Sequence, residues 1–178
     1  MKHVLSLVGL LVLGLSVAVA ADRIFTNPRP DAHLRKLFPK AVAFSKLEGT
    51  PLHFKAYGVD PKTTPNAAPI GYAFWTTDLM PNERGYHAAM HFLVGLDLQG
   101  VITGVVLDYD SEPYGYFSIQ PPEFVAQFTN KSVRDPFKLG QDIDAVSRAT
   151  ITMSAAVRVI RDSARAMARQ FLTPPGKP

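Results

Sequence analysis

The sequence predicts an α+β fold: an antiparallel sheet with a central hairpin, packed against a long C-terminal helix and shorter helices. Two β-rich runs, Met90 to Asp97 and Val101 to Tyr109, flank Leu98-Gln99-Gly100, whose glycine suits a tight turn. Further on, Met153, Val157, Ile160, Ala164, Met167 and Phe171 recur at four- and three-residue steps, one apolar helical stripe. Arg158, Arg161, Asp162, Arg165 and Arg169 fall on the opposite side, which reads as a solvated face or as a docking surface for an acidic partner.

The remaining elements follow in chain order. Met1-Lys2-His3, the apolar run Val4 to Val19 and the small-x-small site Ala18-Val19-Ala20 read as a cleavable secretory signal over residues 1–20, with an uncleaved anchor as the alternative. The mature chain is then expected from Ala21, exported to a bacterial periplasm. Residues 21–69 form an N-terminal arm with accessory elements. In that segment prolines 28 and 30 break the chain, and Leu34, Leu37 and Phe38 share a helical face ended by Pro39. Phe44, Leu47, Leu52, Phe54 and Tyr57 alternate in part, as in one or two short strands. Lys62 to Pro69 is turn-rich, and the aromatic run Ile70 to Thr77 reads as a strand. Pro121 to Phe128 starts a short helix at a proline pair. The last helix is expected from Ala149 to Phe171, roughly 35 Å at 1.5 Å per residue, stopped by Thr173-Pro174-Pro175. Residues 173–178 are expected to be a disordered tail.

Composition narrows the chemistry. The chain has no cysteine, which excludes disulfides, thiolate metal sites, cysteine-held iron–sulfur clusters and thiol catalysis. Its formal charge of +4, or +3 once Lys2 is removed with the signal, suits an anionic ligand or an acidic partner. No aromatic-basic interleaving of the nucleic-acid-binding kind is present. His87 and His91 are four apart in a strand-like context, a poor spacing for one metal, so no metal site is expected. Nucleophile elbows, phosphate-binding loops and dinucleotide fingerprints are also missing, so no catalytic residues are assigned. Asp108 and Asp110 read as marking a strand that leaves the core.

The most informative segment is Asp144-Ala145-Val146-Ser147-Arg148-Ala149-Thr150, a polar turn running into the long helix. Ser147 is the expected N-cap. The unpaired N–H groups and the dipole at a helix start favour a phosphate. Thr150 places a secondary hydroxyl on the first turn. Asp144-x-x-Ser147-x-Ala149-Thr150 resembles the Asp-x-x-Ser/Thr-Gly-Ala-Thr signature of the FMN-binding domain family. That family includes flavin-carrying subunits of the sodium-pumping NADH:quinone oxidoreductase and the Rnf complex, and the periplasmic domain of the nitrous oxide reductase regulator. The resemblance spans about Ile70 to Ala168 and includes the hairpin, Gly85-Tyr86 and the loop Ser111-Glu112-Pro113-Tyr114-Gly115-Tyr116. It implies an FMN-binding domain over residues 70–172.

By that resemblance a flavin transferase joins FMN through its phosphate to Thr150, giving a phosphoester-linked covalent flavin. Asp144, Ser147 and Ala149 would belong to the phosphate or recognition site, and Thr152 is a less favoured acceptor. Arg148 stands where the family has Gly: it can pair with a phosphate but is ill suited to φ > 0. Tyr72, Phe74, Trp75, Tyr86, Tyr114, Tyr116 and Phe117 include candidate ring partners, Tyr114 and Tyr116 being the better ones because of their loop. Glu112 would hydrogen-bond the cofactor or a partner. The implied role is an exported electron carrier working beside a membrane-bound iron–sulfur or quinone-linked redox protein. The alternatives are a flavin-free binding or assembly module for a periplasmic metalloenzyme system, and a small flavin reductase.

Overall fold

The structure, a computed structural model, describes residues 30–172. The signal-peptide reading, the start of the arm and the C-terminal tail lie outside the described residues. Strands β1 (Ala43–Phe44), β2 (Phe54–Tyr57), β3 (Pro69–Trp75), β4 (His91–Asp97) and β5 (Ile102–Tyr109) form one antiparallel sheet in sequential order. Helix α1 (Asp31–Leu37) precedes them, α2 (Thr76–Leu79) sits between β3 and β4, and α3 (Gly115–Ser118), α4 (Pro122–Ala126) and α5 (Thr150–Phe171) follow. The expected fold class and nearly all expected elements are present. Among the described residues no helix is long and apolar enough to cross a membrane.

The sheet buries both faces, and strand alternation decides which residue serves which. Phe74, Phe92, Val94 and Leu96 point to one face and pack with Met153, Val157, Ile160, Ala164 and Met167 of α5. Ala73, Trp75 and Leu93 point to the other and meet Leu34, Leu37 and Phe38 of α1. The β4–β5 register shifts beside Leu96, so Ile102, Val105 and Leu107 all reach the α5 face although they differ in parity. Glycines let α1 lie close to the sheet. A Cβ on Gly95 would come within 2.3 Å of Thr103 Oγ1 and 3.0 Å of Leu37 Cβ, and one on Gly71 within 2.5 Å of the Phe38 ring.

Two elements depart from expectation. The strand from Ile70 ends at Trp75 rather than Thr77, because the buried Thr76 hydroxyl bonds Met90 O (3.3 Å) and the Phe92 N–H (3.1 Å). That side chain replaces a rung of the ladder, and the backbone turns away into α2. The loop expected over Ser111 to Tyr116 tightens at its end into α3, where the Ser118 hydroxyl donates to Tyr114 O at 2.7 Å. The hairpin turn is as expected: Gly100 has φ +80°, and Asp97 Oδ1 accepts the N–H groups of Gln99 and Val101.

Candidate functional site

The segment leading to α5 is held by two side chains. Asp142 accepts the N–H groups of Phe137 (3.0 Å) and Lys138 (2.6 Å) and pairs with the Lys131 ammonium at 3.2 Å. Burial pushes its carboxyl up, but these hydrogen bonds win and hold it below the usual aspartate range. From α5, Arg165 donates to Val133 O (2.9 Å) and Asp135 O (2.8 Å) and lies over the Phe137 ring. The expected free arginine face is therefore partly committed: Arg158 pairs with Glu83 and Arg161 with Asp162.

Ser147 is not the N-cap. Arg148 intervenes in the left-handed region at φ +71°, so the chain reverses there and Ala149 becomes the cap residue. No side chain caps α5, which leaves its first N–H groups without the partner that Ser147 was expected to give. Ser147 is exposed, and Asp144, also exposed, gives its N–H to Gln127 Oε1 at 2.7 Å. Ala149 is buried, and Thr150, the first helical residue, is exposed.

An open cleft of about 250 Å³ lies over this helix start, lined by Tyr86, Tyr114, Arg148, Ala149, Thr150, Ile151 and Thr152. The geometry thus brings Arg148, Ala149, Thr150, Thr152 and Tyr114 of the expected set together, while Asp144, Ser147, Glu112 and Tyr116 do not line the cleft. Two further residues line it, Tyr86 from the wider aromatic set and Ile151, which carries no sequence signal. Ile151 is 59% exposed, and Tyr86, which is 60% exposed, faces Tyr114 with ring centroids 6.0 Å apart. The Gly85-Tyr86 pair was the available signal for Tyr86. Tyr116 packs edge-on against Phe117 at 4.8 Å.

Glu112 lies beside the cleft, only 5% exposed. Its Oε1 accepts the N–H groups of His87 (2.8 Å) and Ala88 (3.0 Å), and its Oε2 accepts that of Tyr86 (2.8 Å) and the Thr152 hydroxyl. Burial raises its pKa, but the Thr152 hydroxyl and the three amides outweigh that and hold it below the ordinary value of 4.5. Gly85 is required next to it, since a Cβ there would lie 2.6 Å from the carboxylate carbon. With Thr152 so engaged and 1% exposed, the accessible hydroxyl of the helix start is that of Thr150.

On the α1 face of the sheet a second polar group is buried. His91 stacks on Trp75 (centroids 4.1 Å, 14° between planes), and its Nδ1 lies 2.7 Å from Thr77 Oγ1. Burial pushes this imidazole down to about 4, against the opposing charge of Asp108. Asp108 stands where β5 leaves the core, Val106 to Tyr109 being half-buried, yet its own side chain is 5% exposed and lies 3.6 Å from His33 Nδ1.

Residues 85–165 match the FMN-binding domain family, a span containing the hairpin, Glu112 and the start of α5. No curated protein matches the chain.

Proposed function

With residues 85–165 forming an FMN-binding domain, we propose that this protein is an exported electron-transfer flavoprotein whose FMN phosphate rests on the start of α5 and is esterified to Thr150. The observation carrying the reading is an uncapped helix N-terminus that opens on an exposed threonine hydroxyl inside an aromatic-walled cleft. The residues present fit the group. Unpartnered first-turn N–H groups and the helix dipole suit a phosphate, and Arg148 adds a cation at the same mouth. Tyr86 and Tyr114 offer exposed faces on which a flat ring can stack. At about 250 Å³ the cleft is smaller than the roughly 300–1,000 Å³ of enclosing ligand pockets, so it grips one end of a ligand and leaves the rest open to a partner.

Bound FMN supplies reversible one- or two-electron transfer, and the protein supplies position and electrostatics. Arg148 would neutralise phosphate charge and the tyrosines would limit water over the ring. The Thr150 hydroxyl would give up its proton and take the place of the leaving group on the phosphorus of the flavin transferase's activated FMN donor. Export rests on the leader-like first 20 residues. The electron partner in this reading is a membrane-bound iron–sulfur or quinone-linked protein reached through the open side of the cleft.

The test is the visible spectrum of protein purified from its native host, before and after denaturing precipitation. Yellow colour that stays with the precipitated chain and is lost in Thr150→Ala supports the ester. Colour released to the supernatant refutes the ester and keeps flavin binding. Colourless protein points instead to the binding or assembly module.

A further inference from the structure

Four donors from two distant parts of the chain converge on one buried side chain. The N–H groups of Tyr86, His87 and Ala88 and the hydroxyl of Thr152 all point at the two oxygens of Glu112. Tyr86 forms one wall of the cleft, and Thr152 sits in the first turn of α5, two residues after Thr150. Among the described residues, this carboxylate is what links the 86–88 amides to Thr152, while a separate exposed pair, Arg158–Glu83, joins α5 to the same loop outside the cleft. We propose that Glu112 is the positioning residue of the cleft, tying its aromatic wall to the helix start so that both are set by one side chain; this rests on the flavin reading above.

The chemistry requires a carboxylate rather than any polar group. Three N–H donors and one hydroxyl need an acceptor at both terminal atoms, and only an ionised carboxyl accepts at both. A glutamine presents an NH₂ group at one of them. Facing Oε2, that group lets the Thr152 hydroxyl reverse and accept, but it confronts the Tyr86 N–H with another donor. Facing Oε1, it confronts the N–H groups of both His87 and Ala88. Either way the 86–88 segment loses the Tyr86 bond or both the His87 and Ala88 bonds, whereas the volume of the side chain hardly changes. A neutral amide also holds whatever remains, Thr152 included, more weakly than a carboxylate. Gly85 supports the same assignment from outside the charged group: a methyl there, 2.6 Å from the carboxylate carbon, displaces the carboxylate without removing it.

Amide hydrogen exchange and bound-flavin fluorescence test this. In Glu112→Gln and, independently, in Gly85→Ala, exchange is expected to rise about tenfold both at residues 86–88 and at residues 152–155, with β4 and the middle of α5 unchanged. A rise in one segment only, or in neither, overturns the proposal. Protein produced in a host that lacks the flavin transferase, and so without the ester, is saturated with added FMN for the second readout. Glu112→Gln should shift the emission of bound FMN to the value seen with Tyr86→Ala, and the double variant should add no further shift. A lowered melting temperature with unaltered FMN emission would make Glu112 a stability residue only and overturn its positioning role. If the wild type binds no added FMN, the flavin reading fails, and the exchange result still decides whether Glu112 couples the two segments.

Discussion

Arg148 occupies a backbone conformation that L-residues avoid: at φ +71° it carries a left-handed cost of roughly 1–2 kcal/mol. The signature this motif resembles has glycine at that position, and the structure shows why: the chain must reverse before α5 begins. Arg148→Gly relieves the strain but frees the unfolded chain, so a net gain of at most ~1 kcal/mol in urea unfolding is expected. The same change removes the cation at the cleft mouth and should weaken FMN binding several-fold by titration. Arg148→Ala, which keeps the strain, should lose affinity without gaining stability. His91 is the other informative residue. Its folded pKa of about 4 lies below the 6.5 of the unfolded chain, so its contribution is complete above pH 6.5 and is lost as pH falls toward 4. A depression of that size corresponds to at most ~3 kcal/mol. Melting midpoints measured across pH 4 to 7 should fall steeply in the wild type and much less in His91→Phe. Glu112 acts in the same sense: its stabilisation is complete above the ordinary 4.5 and is lost as pH falls through its depressed pKa. Neither behaviour was visible in the sequence, because both come from burial against residues more than ten positions away.

At the scale of elements, periodicity identified what burial later organised. The α5 stripe was legible because 22 helical residues repeat their spacing often enough to be read, and Met153, Val157, Ile160, Ala164 and Met167 are all buried. The hairpin was legible because its turn carries its own chemistry in Asp97 and Gly100. Thr76 was not, since the hydrogen bonds that end β3 come from across the sheet. The N-cap of α5 was misassigned for a related reason: Ser147 is a good capping type, but the φ of Arg148 decides where the helix begins. Close approach of α1 depends on glycines rather than on the apolar residues that mark the helix. Gly95→Ala is therefore expected to cost about 1–3 kcal/mol by forcing Thr103, Leu37 and Phe38 apart. Chemical denaturation checks this, and the loss should be accompanied by increased amide exchange in α1.

Across the whole molecule, the sheet separates two polar centres, the cleft beside α5 on one side and the His33–Asp108–His91 group under α1 on the other. The motif at Asp144 to Thr150 pointed to the first centre, although only its last three residues line the cleft. The second had no motif at all. Because the cleft exists only when the sheet, α3 and α5 are assembled, FMN should bind the folded chain and not the unfolded one. Added FMN at about 100 times its dissociation constant should then raise stability by about 2.7 kcal/mol. Calorimetry of flavin-free protein with and without FMN checks this, and equal midpoints would mean that no ligand is held at this site.

The lining of that cleft comes from residues 86, 114 and 148–152, three stretches drawn together only by folding. A transferase that needs the assembled cleft would therefore find no substrate in a nascent or misfolded chain. Cofactor attachment would then act as a certificate of correct assembly, and the yellow fraction of a preparation would count its properly folded molecules.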